Sequence, residues 1–95
     1  MRVIARSTLS AFWKEYPDAE QDLRAWFHEA EEAEWKTTTD VQKRFPTASI
    51  LKRGRIVFNI RGNRYRLVVH CRHPFVYIRF IGTHARYDRI DAQTI

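Results

Sequence analysis

From Arg55 to Ile81 the chain alternates with a period of two, in three runs separated by turn residues, and few architectures accept that pattern. In the first run Ile56, Phe58 and Ile60 point one way, while Arg55, Val57, Asn59 and Arg61 point the other. Gly62-Asn63 is a tight-turn signal of the Gly-X hairpin kind. The second run sets Tyr65, Leu67, Val69 and Cys71 on one face and Arg64, Arg66, Val68 and His70 on the opposite one. Arg72-His73-Pro74 turns the chain again. The third run sets Val76, Ile78 and Phe80 inward and Phe75, Tyr77, Arg79 and Ile81 outward. Gly82-Thr83 closes it, and His84 to Ile90 reads as a final helical turn. Three such runs make an antiparallel meander with one apolar face to be covered.

The first forty residues carry the cover. Arg2 to Arg6 reads as a short strand and Ser7 as a helix N-cap, after which Leu9, Phe12, Trp13 and Tyr16 fall at helical spacing. Pro17 stops that helix. Asp18 with Gln21 resembles a capping box, and Leu23, Trp26, Phe27 and Ala30 repeat the spacing through a second helix ending near Trp35. Thr37-Thr38-Thr39 is a linker or cap, Asp40 to Arg44 a short helical turn, and Ala48 to Leu51 reads equally as strand or loop. Trp35 is the tryptophan expected at the surface. Ninety-five residues hold one domain, 1–95. The expected class is α+β, a two-helix hairpin on an antiparallel sheet in the order β-α-α-β-β-β with a short C-terminal helical turn. Periodicity does not fix the strand order. The uncovered face collects Arg64, Arg66, His70, Tyr77 and Arg79.

Charge divides the chain the same way. Residues 1–40 carry nine acids against five bases, and residues 41–95 carry twelve bases against only Asp88 and Asp91. Ten of those twelve bases are Arg, whose planar fork suits phosphate contact and base stacking. A basic half of this kind faces nucleic acid or an acidic protein, or is simply a solvated surface. No apolar run approaches bilayer-spanning length, Met1 to Arg6 has no signal-peptide apolar region, and the lone Cys71 fits a reducing compartment. The expected setting is the cytoplasm, with no membrane partner.

Cleaving RNA without a metal requires a base for the 2′-hydroxyl, a cation for the scissile phosphate and an acid for the leaving 5′-oxygen. His84, Tyr87, Arg64, Arg66 and Arg79 supply those types near one end of the sheet. On a helical turn His84 and Tyr87 share a face, and Asp88, four residues on, is placed to orient the imidazole. The same spacing fits an ordinary helix cap with a Tyr packed on the sheet. A metal site is disfavoured: His70, Cys71 and His73 point to different faces, and no Cys or His pair stands at zinc spacing. Cys71 reads as a core thiol, His28 as a surface residue. No cofactor motif is present.

Taken in order, several blocks resemble the HigB-type toxins of toxin–antitoxin modules, within the RelE-like group. They are Phe12-Trp13, Tyr16-Pro17-Asp18-Ala19, Trp35-Lys36 and Phe45-Pro46, then Val57 to Val69 around Gly62-Asn63, and Val76 to Asp88 around Gly82-Thr83-His84-x-x-Tyr87-Asp88. The resemblance spans nearly the full length. It implies the small RelE-like fold and an mRNA interferase, an endoribonuclease acting on mRNA during translation by metal-independent 2′-hydroxyl attack. It implies mRNA, the ribosome and a cognate helix-turn-helix antitoxin (HigA-like) as partners. Arg66, Arg79, His84, Tyr87 and Asp88 inherit the catalytic roles. Lys52, Arg53, Arg61, Asn63, Arg64, Tyr77 and Arg86 are the candidates for holding RNA. The turn between His70 and Phe75 departs from the family pattern, being shorter and without an acidic residue. Two other readings compete: a non-catalytic RNA- or ribosome-binding translation inhibitor, and a structural partner whose basic face only docks a protein.

Overall fold

A computed structural model describes residues 1–95. The sheet has five strands in the order β1-β5-β4-β3-β2, namely β1 (Arg2–Ile4), β2 (Ser49–Ile50), β3 (Arg55–Ile60), β4 (Tyr65–Arg72) and β5 (Phe75–Thr83). The meander of β3, β4 and β5 is antiparallel, as the alternation requires. Its flanks come from the rest of the chain. β2 adds antiparallel to β3, so the middle of the ambiguous Ala48–Leu51 stretch is strand and its two ends are not, and β1 adds parallel to β5.

Helices α1 (Arg6–Glu15) and α2 (Glu20–Glu32) cover one face. Leu9, Phe12, Trp13, Leu23, Trp26 and Ala30 form their buried stripe against Ile56, Phe58, Leu67, Val69 and Val76. Each large side chain removed from water there contributes about 1.5–3 kcal/mol before entropy is charged against it. Helix α1 begins one residue before Ser7, with Ala5 at the N-cap, so Ser7 lies in the first turn instead of capping it. Asp18 does not form the capping box; Pro17–Ala19 is a short 3-10 turn and the Asp18 carboxylate bonds elsewhere. Helix α2 ends at Glu32, where Ala33 turns extended, earlier than Trp35. The extended segment carries Trp35 into the core, 6% exposed. Its ring stacks on Phe58 with centroids 6.1 Å apart and meets Phe45 edge-on at 6.0 Å. Helix α3 (Thr38–Arg44) follows, longer than one turn, under a capping box in which Thr37 and Asp40 exchange side-chain and backbone bonds.

Two departures from simple alternation shape the other face. Val69 pairs with Ile78 but Val68 with Phe80, so β5 bulges at Arg79. The extra residue flips the sequel: Ile81 enters the main core, and Phe80 faces the second side, opposite to the period-two expectation. That side is also not bare. The final helix α4 (His84–Tyr87) is shorter than His84 to Ile90, and the chain after it crosses the sheet. Ala92 and Ile95 close over Val57, Val68 and Phe80 in a small second core. No helix is long and apolar enough to cross a membrane.

Candidate active site

The end of the second face where β5 runs into α4 gathers the chemistry. Thr83 caps α4, its Oγ1 accepting the Arg86 N–H at 3.2 Å. The His84 N–H donates to the Arg64 carbonyl at 3.1 Å, tying the helix start to the β3–β4 turn. One helical turn then sets His84 Nδ1 3.2 Å from Asp88 Oδ2. Both side chains are about half exposed, at 46% and 58%. Tyr87 turns inward and packs on the second core.

Arg66 lies beside Tyr87, its guanidinium carbon 5.9 Å from the ring centroid. It is the one charged residue the fold buries, at 9% exposure. One terminal nitrogen donates to the Asn63 carbonyl at 3.1 Å and the Tyr65 carbonyl at 3.3 Å, and the other donates to Asn63 Oδ1. A guanidinium has five N–H donors. Three are spent on holding the fork in place, which leaves two for an anion. Gly82 pairs with Arg66 across β4 and β5. A Cβ there would stand 2.5 Å from the Phe80 ring, so only glycine lets that ring lie across the strand.

The remaining candidates divide. Asn63 belongs to the cluster through Arg66, and exposed Arg86 lies on α4 beside it. Arg64 turns to the helix layer, where its guanidinium meets Asp18 Oδ2 at 2.6 Å. Alternation does not reach Arg64 because it belongs to the turn, not the strand. The Tyr65 hydroxyl donates to the other oxygen of the same carboxylate. Arg61 sits in the turn with φ 53° and lines a cleft of about 260 Å³ with Trp26, Phe45 and Phe58, on the helix side. Arg79, at the bulge, donates to the Ile95 carbonyl at 3.3 Å, together with Arg55. Lys52, Arg53 and Tyr77 lie toward the opposite end of the sheet. Lys52 is clasped by Gln93, its N–H and carbonyl each 2.8 Å from the side-chain amide. Gly54, with φ 77°, lets this loop approach β4, where a Cβ would stand 2.5 Å from the Cys71 carbonyl.

Sequence reading missed Asp18, Arg55 and Gln93 as the ties that hold this arrangement. None has a local signal, since each bonds a residue forty or more positions away. The Tyr65 hydroxyl and then Arg64 hold the Asp18 carboxyl below its ordinary 3.8. A depressed carboxyl contributes stability that is complete above 3.8 and is lost as pH falls through its folded value. Urea midpoints measured down through pH 3.8 are therefore expected to fall more steeply for the wild type than for Asp18→Asn. Parallel curves would show that the tie adds nothing.

Cys71 points to the main core and burial pushes its thiol up to about 11, so it stays protonated at neutral pH. His70 faces the other side, and His73 turns to Glu34 at 3.1 Å, so the three residues diverge. No three His, Cys, Asp or Glu side chains gather as metal ligands.

No curated protein matches the chain. A family model for HigB toxins, described as the RelE-like toxic component of a toxin-antitoxin system, matches residues 19–90. That span holds α2, the whole meander and every residue of the Arg66–Tyr87–His84–Asp88 cluster. The chain therefore belongs to the HigB toxin family, as the RelE-like toxic component of a toxin–antitoxin system.

Proposed function

We propose that this toxin is an mRNA interferase that cuts the RNA strand by attack of a 2′-hydroxyl on the adjacent phosphate. The carrying observation is Arg66, a buried fork fixed by Asn63 with two donors unspent, beside Tyr87 and the His84–Asp88 pair. The free donors of Arg66 take the scissile phosphate bidentately and stabilise the charge that grows on it. Asp88 engages Nδ1 of His84, which leaves Nε2 to accept the 2′-hydroxyl proton or to donate one to the departing 5′-oxygen. Tyr87 stacks on a base or relays the second proton. The O2′–P bond forms as the P–O5′ bond breaks, giving a 2′,3′-cyclic phosphate and a 5′-hydroxyl.

The site is open rather than walled. His84 and Asp88 are half exposed, and neither cleft in the structure is lined by the cluster. An open site positions a substrate poorly, which favours mRNA already held by the ribosome. The antitoxin implied by the family silences the toxin, and a helix-turn-helix HigA-like protein is the proposed form. Mapping transcript ends after induction tests the reading. New 5′-hydroxyl ends within translated regions are expected, with matching 2′,3′-cyclic phosphates. Arrested translation with intact transcripts would instead establish inhibition by occupancy.

A further inference from the structure

The second face continues beyond the small core to the opposite end of the sheet, and the cleavage chemistry leaves that end unused. Strand register builds it row by row. Ile4, Tyr77, His70 and Arg55 lie across β1, β5, β4 and β3 in one row. Arg2, Phe75 and Arg72 lie across the next. Val3, Val76 and Cys71 between them, and Ile56 next to Arg55, point into the main core, so all seven face the other way. The rings of Phe75 and Tyr77 stand 5.8 Å apart and those of Tyr77 and His70 6.4 Å apart, tilted at 33° and 43°. Ile4 beside them is the one large hydrophobic residue the fold leaves exposed, at 42%.

The setting is strongly positive. Arg2, Arg55 and Arg72 stand in the rows themselves, Arg79 lies at the adjoining bulge, and Lys52 and Arg53 sit on the loop against β4. No carboxylate belongs to either row. His70 is held below its ordinary 6.5 by burial and then by Arg55, against a hydrogen bond to the Arg53 backbone and with Arg72 and Arg79 adding to the effect, which favours the neutral ring. Aromatic rings sharing one face, Phe75 and Tyr77 along β5 and His70 across on β4, rimmed by arginines, match what single-stranded RNA offers, π-faces joined by phosphates. An acidic peptide would use the arginines but leave the rings and Ile4 in water.

We propose that Phe75, Tyr77 and His70, with Arg72 and Ile4 at their margin, form a second RNA subsite on which bases of the single strand stack. The proposal rests on the reading of this protein as an RNA-binding toxin and adds where the strand runs. His70, across from Tyr77, lies four residues from Arg66 on β4, a span of about 13 Å. At ~3.4 Å per stacked nucleotide, on the order of four nucleotides reach from the platform to Arg66. The subsite therefore engages RNA on one side of the cut and sets which length of strand is held. Messenger and ribosomal RNA present the same chemistry.

The test uses the whole chain and a fluorescent 2′-O-methyl RNA of about twelve nucleotides, which binds without being cut. Tyr77→Ala and Phe75→Ala are each expected to weaken binding roughly ten-fold, since stacking contributes that much per base, and Tyr77→Phe to bind as wild type. Truncating the RNA to about three nucleotides is expected to cost the wild type a similar factor and the alanine variants little. Should an alanine variant not fold, photo-cross-linking of a 4-thiouridine oligomer to the wild type replaces it, with the Phe75–Tyr77 peptide expected among the adducts. On ribosomes the same adducts, carried to messenger or to ribosomal RNA, name the source, and either supports the subsite. Wild-type affinity in both alanine variants, adducts only near His84, or equal competition by polyglutamate would overturn it. Cleavage is not read in any arm. A wild type that binds through the platform but never cuts would sink the interferase reading alone.

Discussion

Purified His84→Ala is expected to lose growth arrest on induction and to cleave RNA about 10²–10⁴-fold more slowly, the range a single proton-transfer group contributes. The residue touches little that the fold depends on. Helix α4 is capped by Thr83, and the His84 backbone bond to Arg64 survives the substitution. The pair with Asp88 is half exposed, and such pairs contribute about 0–1 kcal/mol. Melting temperature should thus shift by no more than about 4–8 °C. Asp88→Asn is the informative companion. An amide still reaches Nδ1 but offers either face, so the tautomer is no longer dictated, and a smaller loss with an altered pH–rate profile is expected. Single-turnover cleavage of RNA, on and off the ribosome, reads both. A His84→Ala protein that cuts at the wild-type rate would remove the histidine from the mechanism and leave Tyr87 and Arg66 as the reacting groups.

The meander was legible because alternation is a two-residue rule and β3 and β4 obey it. It failed where the rule is local and the structure is not. One inserted residue at Arg79 exchanged the faces of Phe80 and Ile81, and nothing in Ile78-Arg79-Phe80-Ile81 marks a bulge. Arg64 was placed with Arg66 by parity, yet it belongs to a turn and bonds Asp18, forty-six residues earlier. The segment from Ile90 to Ile95 has no periodicity, so its cover over Val57 and Val68 was invisible. Trp35 stands at the expected end of the second helix, where no spacing rule buries it; the aromatic cluster around Phe58 explains its burial. The candidate site was legible in its compact part, since His84, Tyr87 and Asp88 fall within one helical turn. Its basic members were legible as residue types but not in position, because guanidinium partners come from distant parts of the chain. The arginines consequently split into a fixed fork at Arg66, a structural tie at Arg64 and a distal group that includes Arg55 and Arg79.

That split predicts how Arg66→Lys behaves. A point charge in the same place keeps the electrostatics but not the fork. An ammonium has three donors, and the two Asn63 oxygens and the Tyr65 carbonyl compete for them. No matched pair then remains for two phosphate oxygens, and no planar face lies beside Tyr87. Cleavage is expected to fall about 10²–10³-fold, the usual loss when a transition-state donor is removed. Losing one or two of the buried bonds is expected to cost about 1–3 kcal/mol, or roughly 4–8 °C of melting temperature for each kcal/mol in a domain of this size. The salt dependence of RNA binding should stay unchanged, because the number of phosphates neutralised does not alter. If Arg66 acts only as a charge, Arg66→Lys will cleave nearly as the wild type does. A rate lost while the salt slope is kept separates the two roles, and it places the catalytic contribution of Arg66 in the orientation that Asn63 imposes.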